Sequence, residues 1–519
     1  MGKVLRCYRD FSGGLSEVAN DNMADHQLAE ARNVIPGAGF GIARTYGLTC
    51  HEDFPPIPGV TQDSRIYMMT YIRFSDSLAK HIAILRKEEG NDEVWALWQG
   101  EWAKLWEGMA VNGWFTYGNK LYWIDLLGVY TYDGETVSDG EPTPAGETIT
   151  PEEEAVWEKL YKTTSVVQRG QRFFYATLDN ELIFSRIGDP LGIDPTNIIN
   201  IADQRDDSIY ALKEFNGGLL IFKGYGIYYL SGWDFAEGRD IVLTQLTTAC
   251  GCKWPDSIQF INNGLVFFND NYLYKLKMNS GGNGFLVENL SEGRMNQAFA
   301  KTTELRAVRS LVWDDTYFFS LCSVDTTEEY RYYPSSDAFF GPYTHGARGY
   351  FYAADKPFVG LDYGRIAYFD KESLHYIDPA NGGFLPIPIR AVTKSFDINN
   401  AFCQEVRLKK VMVSMEQYQA EGSHVTVQIR GDYWMTQWDV LADESLVWGE
   451  SLYGEALWGW RNTVCKEIAV RRKTNYVQFC ISDETPEEAL LIYGVALLYT
   501  QRQPKGKRLG VTEAPVEYD

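Results

Sequence analysis

Hydrophobic positions along this chain fall in short runs punctuated by glycine and asparagine. Between residues 216 and 234, the runs 219–222 and 227–230 are rich in apolar, aromatic and β-branched side chains and flank Lys223-Gly224-Tyr225-Gly226. Strands favour such residues and glycine supplies the left-handed backbone of a tight turn, so the stretch predicts a β-hairpin. The same phrase recurs at 112–117 with 121–124, 169–175 with 182–184, 263–268 with 272–276, and 363–369 with 374–377. Weaker copies begin near Ser64 and Asp314.

Successive copies start about 50 residues apart, close to the roughly 40–50 residues of a four-stranded propeller blade. One hairpin buries too little apolar surface to stand alone, whereas blades stacked around an axis cover both faces of each. The spacing predicts an all-β chain with a β-propeller of about six to eight blades over residues 61–385. A series of ordinary β-sandwiches with coincidental spacing is the competing arrangement.

Residues 1–60 stand outside the repeat and read as an N-terminal arm or docking segment. A strand is expected at 4–8, a glycine turn at 11–15, and a short helix at 24–31 capped from Asn20 to Asn22. A Pro/Gly/acidic stretch from Ser138 to Glu147 interrupts the blades and leads into Thr150-Pro151-Glu152-Glu153. Thr150 as N-cap, Pro151 at the first helical position and Glu153 as reciprocal cap predict a helix at 150–161, within an insertion near 138–162. Beyond Pro386-Ile387-Pro388, Val411, Val413 and Met415 alternate with polar neighbours, as do Val425, Val427 and Ile429. This predicts an antiparallel β-sandwich over 386–502, followed by a flexible C-terminal tail at 503–519 that orders only on a partner.

Charge changes the picture at one point. The formal net charge is −22, and no long run of Lys or Arg concentrates positive charge. Stable nucleic-acid binding needs such a concentration, whereas an acidic surface lets DNA pass without sticking. The eight cysteines are scattered, and Cys250-Gly251-Cys252 lacks a second pair at zinc spacing, so buried reduced thiols are expected. No apolar run approaches the roughly 18–20 residues of a membrane span. The opening residues show no apolar secretory core, which points to synthesis in a cytosol. The six histidines form no H-x-x-x-H pair, and neither a nucleophile elbow nor a P-loop is present. Gly37, Gly39 and Gly41 do not make a dinucleotide loop, because Pro36 interrupts any feeding strand. The expectation is a protein without cofactor, metal or catalytic site. Trp448, Tyr453, Trp458 and Trp460, set among Gly and Glu, have the composition of interface anchors. A stacking platform for sugar rings is the alternative.

Three N-terminal segments carry a resemblance: Phe11-Ser12-Gly13-Gly14-Leu15, Leu28-Ala29-Glu30-Ala31-Arg32-Asn33-Val34, and Gly41-Ile42-Ala43-Arg44-Thr45-Tyr46-Gly47-Leu48-Thr49. Together with residues 180–190, Asn-Glu-Leu-Ile-Phe-Ser-Arg-Ile-Gly-Asp-Pro, they resemble the β-propeller tail proteins of short-tailed phages, the tail-nozzle and packaged-DNA stabilisation group. Arg44 and Gly47 stand one residue further apart than in the group, and Phe184 replaces a Trp. The resemblance implies a structural virion protein of the tail, made in the host cytoplasm. It implies a ring, a homohexamer, below the portal and adaptor, retaining packaged DNA and forming the channel for its ejection without sequence-specific binding. Contacts with neighbouring subunits are expected from Phe11, Leu15 and Arg44 of the arm, from Trp157 and Leu160 of the helix, and from Trp448, Tyr453, Trp458 and Trp460. A carbohydrate-binding or glycan-degrading propeller at the phage tail, acting in receptor binding, is the alternative.

Overall fold

The computed structural model describes residues 3–501 except 20–21, 62–63, 88–90, 202–206, 233–240, 280–283, 303, 324–325, 354–355, 399–404, 417–422, 443–462 and 485–489. Strands dominate, and they fall into a β-propeller of seven blades and a β-sandwich. Each of the first six blades is four consecutive antiparallel strands. Their innermost strands are Ser64–Arg73, Gly113–Tyr117, Thr163–Arg169, Ile209–Phe215, Gln259–Ile261 and Ala307–Trp313. The seventh blade takes three strands from Gly349–Ala353, Lys356–Gly360 and Ile366–Asp370. Its fourth comes from the far end of the chain, Gly47–Cys50, with Thr49 opposite Tyr368. Gly349–Ala353 also packs on Ser64–Arg73, which closes the ring.

Apolar side chains fill the spaces between blades. Trp106 and Trp123 meet edge to face between the first two blades, their ring centroids 5.9 Å apart. Leu212, Leu219 and Ile221 of the fourth blade pack on Phe174 and Leu182 of the third. Burying both faces of each blade is what makes single hairpins, unstable alone, cooperative here.

The hairpin pattern marks strands but not their phase within a blade. Gly218–Lys223 and Ile227–Ser231 are second and third strands, whereas Gly113–Tyr117 and Lys120–Ile124 are first and second. The expected pairing of 363–369 with 374–377 does not form. Ile366–Asp370 pairs with Gly47–Cys50, and His375–Ile377 pairs with Phe384–Pro386. The helix expected at 24–31 is also overturned. Gln27–Arg32 is a strand against Ile389–Thr393, with Leu28 and Ala31 fully buried. The helix-forming letters Leu-Ala-Glu-Ala yield to tertiary pairing, because local propensity is worth only tenths of a kcal/mol per residue.

The sandwich uses both ends of the chain. One sheet runs Val34–Pro36, Ile42–Arg44, Leu491–Gln501, Val406–Glu416, Thr463–Thr474, with Lys3–Tyr8 also on Leu491–Gln501. The other runs Gln27–Arg32, Ile389–Thr393, Tyr476–Asp483, Ser423–Arg430, Met435–Ala442. Val411, Val413 and Met415 face Val425, Val427 and Ile429 in one core. Ala31 is also registered with Gly341 of the sixth blade, so that blade and the second sandwich sheet are continuous. The segment expected as a separate arm therefore helps build both modules.

Candidate functional site

Of the residues expected at subunit contacts, the five that are described, Phe11, Leu15, Arg44, Trp157 and Leu160, are buried at internal joints. Phe11 and Leu15 are buried in the main core. Gly14 has φ +62, and a Cβ there would stand 2.2 Å from the Phe339 carbonyl oxygen. Only glycine meets both demands. Asn33, itself at φ 53, ties three segments together. Its amide nitrogen donates to the Pro388 carbonyl (2.7 Å) and to Thr344 Oγ1 (3.0 Å), and its oxygen accepts from the Thr344 amide and the Tyr376 hydroxyl. The buried Arg44 guanidinium pairs with Asp483 and donates to the Ile387 carbonyl at 2.6 Å. These side chains face inward, so the expectation that Phe11, Leu15 and Arg44 meet a neighbouring subunit is corrected.

The helix expectation holds in form and changes in role. Pro151–Lys159 starts at Thr150 with a complete capping box. Trp157 and Leu160 do not project from the disc. They are buried against Phe115, Phe173 and Tyr175 between the second and third blades, because the helix buries its apolar side chains on the nearest core. Glu153 also accepts from the Ala145 amide and from Arg186 Nη2 (3.1 Å), while Arg186 Nε reaches Asp194 at 2.7 Å. Arg186 belongs to the 180–190 phrase, so that phrase braces the insertion. Trp448, Tyr453, Trp458 and Trp460 lie outside the described residues.

The pattern of the chain did not reveal a buried ionic cluster where the sixth and seventh blades meet the N-terminal segment. Glu329 Oε1 accepts from Arg331 Nε at 2.7 Å, and Glu329 Oε2 lies 2.8 Å from His345 Nε2 and accepts from the Tyr350 hydroxyl. Arg331 donates to Thr45 Oγ1 at 2.8 Å, and its Cζ sits 3.8 Å from the Tyr343 ring centroid and 4.7 Å from that of Tyr46. Burial alone would raise the Glu329 carboxyl, but His345 and Arg331 draw it down to about 2. The Glu329, Arg331 and His345 side chains are at most 1% exposed. With no solvent path to a substrate, the cluster fastens the ring closure.

Charged residues differ between the first and fourth strands of the blades. The innermost strands carry Arg65, Arg73, Arg169, Lys213 and Arg309 against Glu214. The outermost carry Glu101, Glu107, Asp139, Asp189, Asp194 and Glu288 against Lys104. Several of these charges are paired locally: Glu107 with Lys87 and Lys104, Asp194 with Arg186, Glu288 with Lys277, and Arg309 with Asp256.

An open cavity lies on the outer face of the second sandwich sheet, with a volume of about 560 Å³. Strand register lays out its floor. Arg390, Ser482, Thr426 and Asp439 stand in one row across four strands, and Gln428 faces Gln437 in the next. The inward neighbours Val425, Val427 and Ile429 belong to the core, so strand alternation turns the polar set outward. Arg390 Nε donates to Glu30 (2.9 Å), Thr426 Oγ1 to Asp439 Oδ1 (2.8 Å), and Arg430 Nε to Gln428 Oε1 (3.0 Å). Among the described residues no group of three or more His, Cys, Asp or Glu side chains is placed to hold a metal. No helix among them is long and apolar enough to cross a membrane.

The class this fold defines is a seven-bladed β-propeller interlocked with a β-sandwich. No family model matches the chain, and no curated protein matches it. Among solved structures it is similar to BamB from Moraxella catarrhalis, with 10% identity and a TM-score of 0.34 over 66% of this chain and 97% of that one. It is similar to the WD40 β-propeller domain of Doa1, with 10% identity and a TM-score of 0.32 over 61% and 98%. An exo-β-1,3-galactanase from Phanerochaete chrysosporium follows at 9% identity and a TM-score of 0.24, over 64% and 94%.

Proposed function

We propose that this chain is a non-enzymatic structural subunit of a phage tail, assembling as a ring of six copies below the portal and adaptor. The ring holds packaged DNA and forms its exit channel. The observation that carries the reading is the coincidence of motif and joint. The segments that resemble the tail-nozzle group, around Phe11–Leu15, Leu28–Val34 and Gly41–Thr49, are the ones that interlock propeller and sandwich. A subunit under DNA pressure needs such a stiff body. The formal net charge of −22 supports the reading further, since a negatively charged wall repels the DNA backbone and leaves it free to slide.

Electron microscopy of the purified protein, paired with its native mass, tests this. Class averages showing closed rings of propellers support it. Isolated propellers that stay single after addition of purified portal and adaptor overturn it.

A further inference from the structure

We propose that the trough on the outer face of the second sandwich sheet is a binding site for a short neutral saccharide. The proposal does not rest on the ring reading. It starts from the trough's size, about 560 Å³, which falls among ordinary small-ligand sites of about 300–1,000 Å³. Its floor is four hydrogen-bonded strands, so the backbone that carries the lining is already held in place. Backbone ordering then adds little to the cost of binding.

The chemistry of the lining selects the ligand. Donors and acceptors alternate across the rows: the Arg390 guanidinium, the Ser482 and Thr426 hydroxyls and the Asp439 carboxylate in one, the Gln428 and Gln437 amides in the other. Each cation in or beside the floor already has a partner, Arg390 in Glu30 and Arg430 in Gln428. Of the lining acids Asp483 pairs with Arg44, while Asp439 and Glu484 add negative charge, so the trough disfavours an anion such as a nucleotide. An apolar ligand would strip water from this polar floor without replacing its hydrogen bonds. A polyhydroxylated ring replaces them, because each vicinal hydroxyl pair both donates and accepts, matching a carboxylate or amide edge. Asp439 accepts from Thr426 through one oxygen, and Gln428 accepts through its carbonyl, which leaves its amide hydrogens to donate. Three strand spacings separate Arg390 from Asp439, roughly 14 Å, which suits two or three sugar rings.

The test is calorimetric titration of the full chain with maltotriose, cellotriose, mannotriose and N-acetylchitotriose, and with inorganic phosphate as the anionic control. We expect saturable binding of at least one trisaccharide, weakened at least tenfold by Asp439→Asn and by Gln437→Ala. Both side chains are exposed, so both variants should melt as the parent does and form the same particles by electron microscopy. No binding by any of the four sugars overturns the proposal. Phosphate binding in preference to them also does, and so does saccharide binding that survives both substitutions.

Discussion

Gly14, Asn33 and Arg331 show how single residues carry long-range consequences. Gly14→Ala combines an unfavourable φ with a clash against the Phe339 carbonyl. It should lower stability by about 2 kcal/mol or more, read as a shift in urea midpoint at unchanged slope. Arg331→Met leaves Glu329 buried without its guanidinium and should cost about 3–5 kcal/mol. The double variant with Glu329→Gln should recover part of that loss. Glu329 also predicts a pH dependence. Its folded carboxyl titrates near 2, below the ordinary carboxylate value of about 4.3. Its contribution is therefore fully present above that ordinary value and is lost as pH falls towards 2. Melting temperature between pH 5 and 2 should fall less steeply for Glu329→Gln than for the parent, and equal slopes would count against the pairing. The thiols divide by burial: Cys250 and Cys252 are pushed up to about 11 and 12 by desolvation, while Cys7 and Cys465 are exposed, unlike the uniform burial expected.

At the scale of elements, the Pro151–Lys159 helix separates local from tertiary causes. Its start follows from four consecutive residues, and Thr150→Ala should cost about 1 kcal/mol. Its orientation follows from Trp157 between two blades, and Trp157→Ala should cost about 3–5 kcal/mol. Hydrogen exchange resolves the two. The cap variant should loosen the first helical turn alone, and the tryptophan variant should expose Thr163–Arg169 and Arg172–Thr177 as well. A helix that merely projected for a neighbour would show little stability change for Trp157→Ala. Gln27–Arg32 is the opposite case. Its letters favour a helix, and its pairing with Ile389–Thr393 makes it a strand.

For the whole molecule, the decisive feature is that one N-terminal segment closes the propeller and helps build the sandwich. Deleting residues 1–50 removes the outer strand of the seventh blade and strands of both sandwich sheets. Circular dichroism and size-exclusion chromatography should then find no cooperatively folded monomer. An arm that served only to dock on neighbours would leave a folded one. By contrast, on the proposed tail-subunit reading, deleting 450–458 should leave a folded chain that fails to enter virions, and normal incorporation would refute an interface role for that stretch.

Much of this protein was legible along the chain: strand alternation, turn glycines, the capping box, the roughly 50-residue period and the alternating strands after Pro388, though not the N-terminal strands that complete their sandwich. These are local properties, set within a few residues by side-chain period and backbone sterics. The tertiary structure alone decided the count of seven, the phase of each hairpin, the strand state of Gln27–Arg32 and the burial of Phe11, Arg44, Trp157 and Leu160. It alone brought Glu329 to His345 and Tyr350, and Arg390 into line with Asp439. Alternation shows which face a side chain takes but not which strand lies beside it. Thr49 meets Tyr368, and Arg44 meets Asp483, across hundreds of residues of intervening chain. Such partners are selected by the packing free energy of the whole fold.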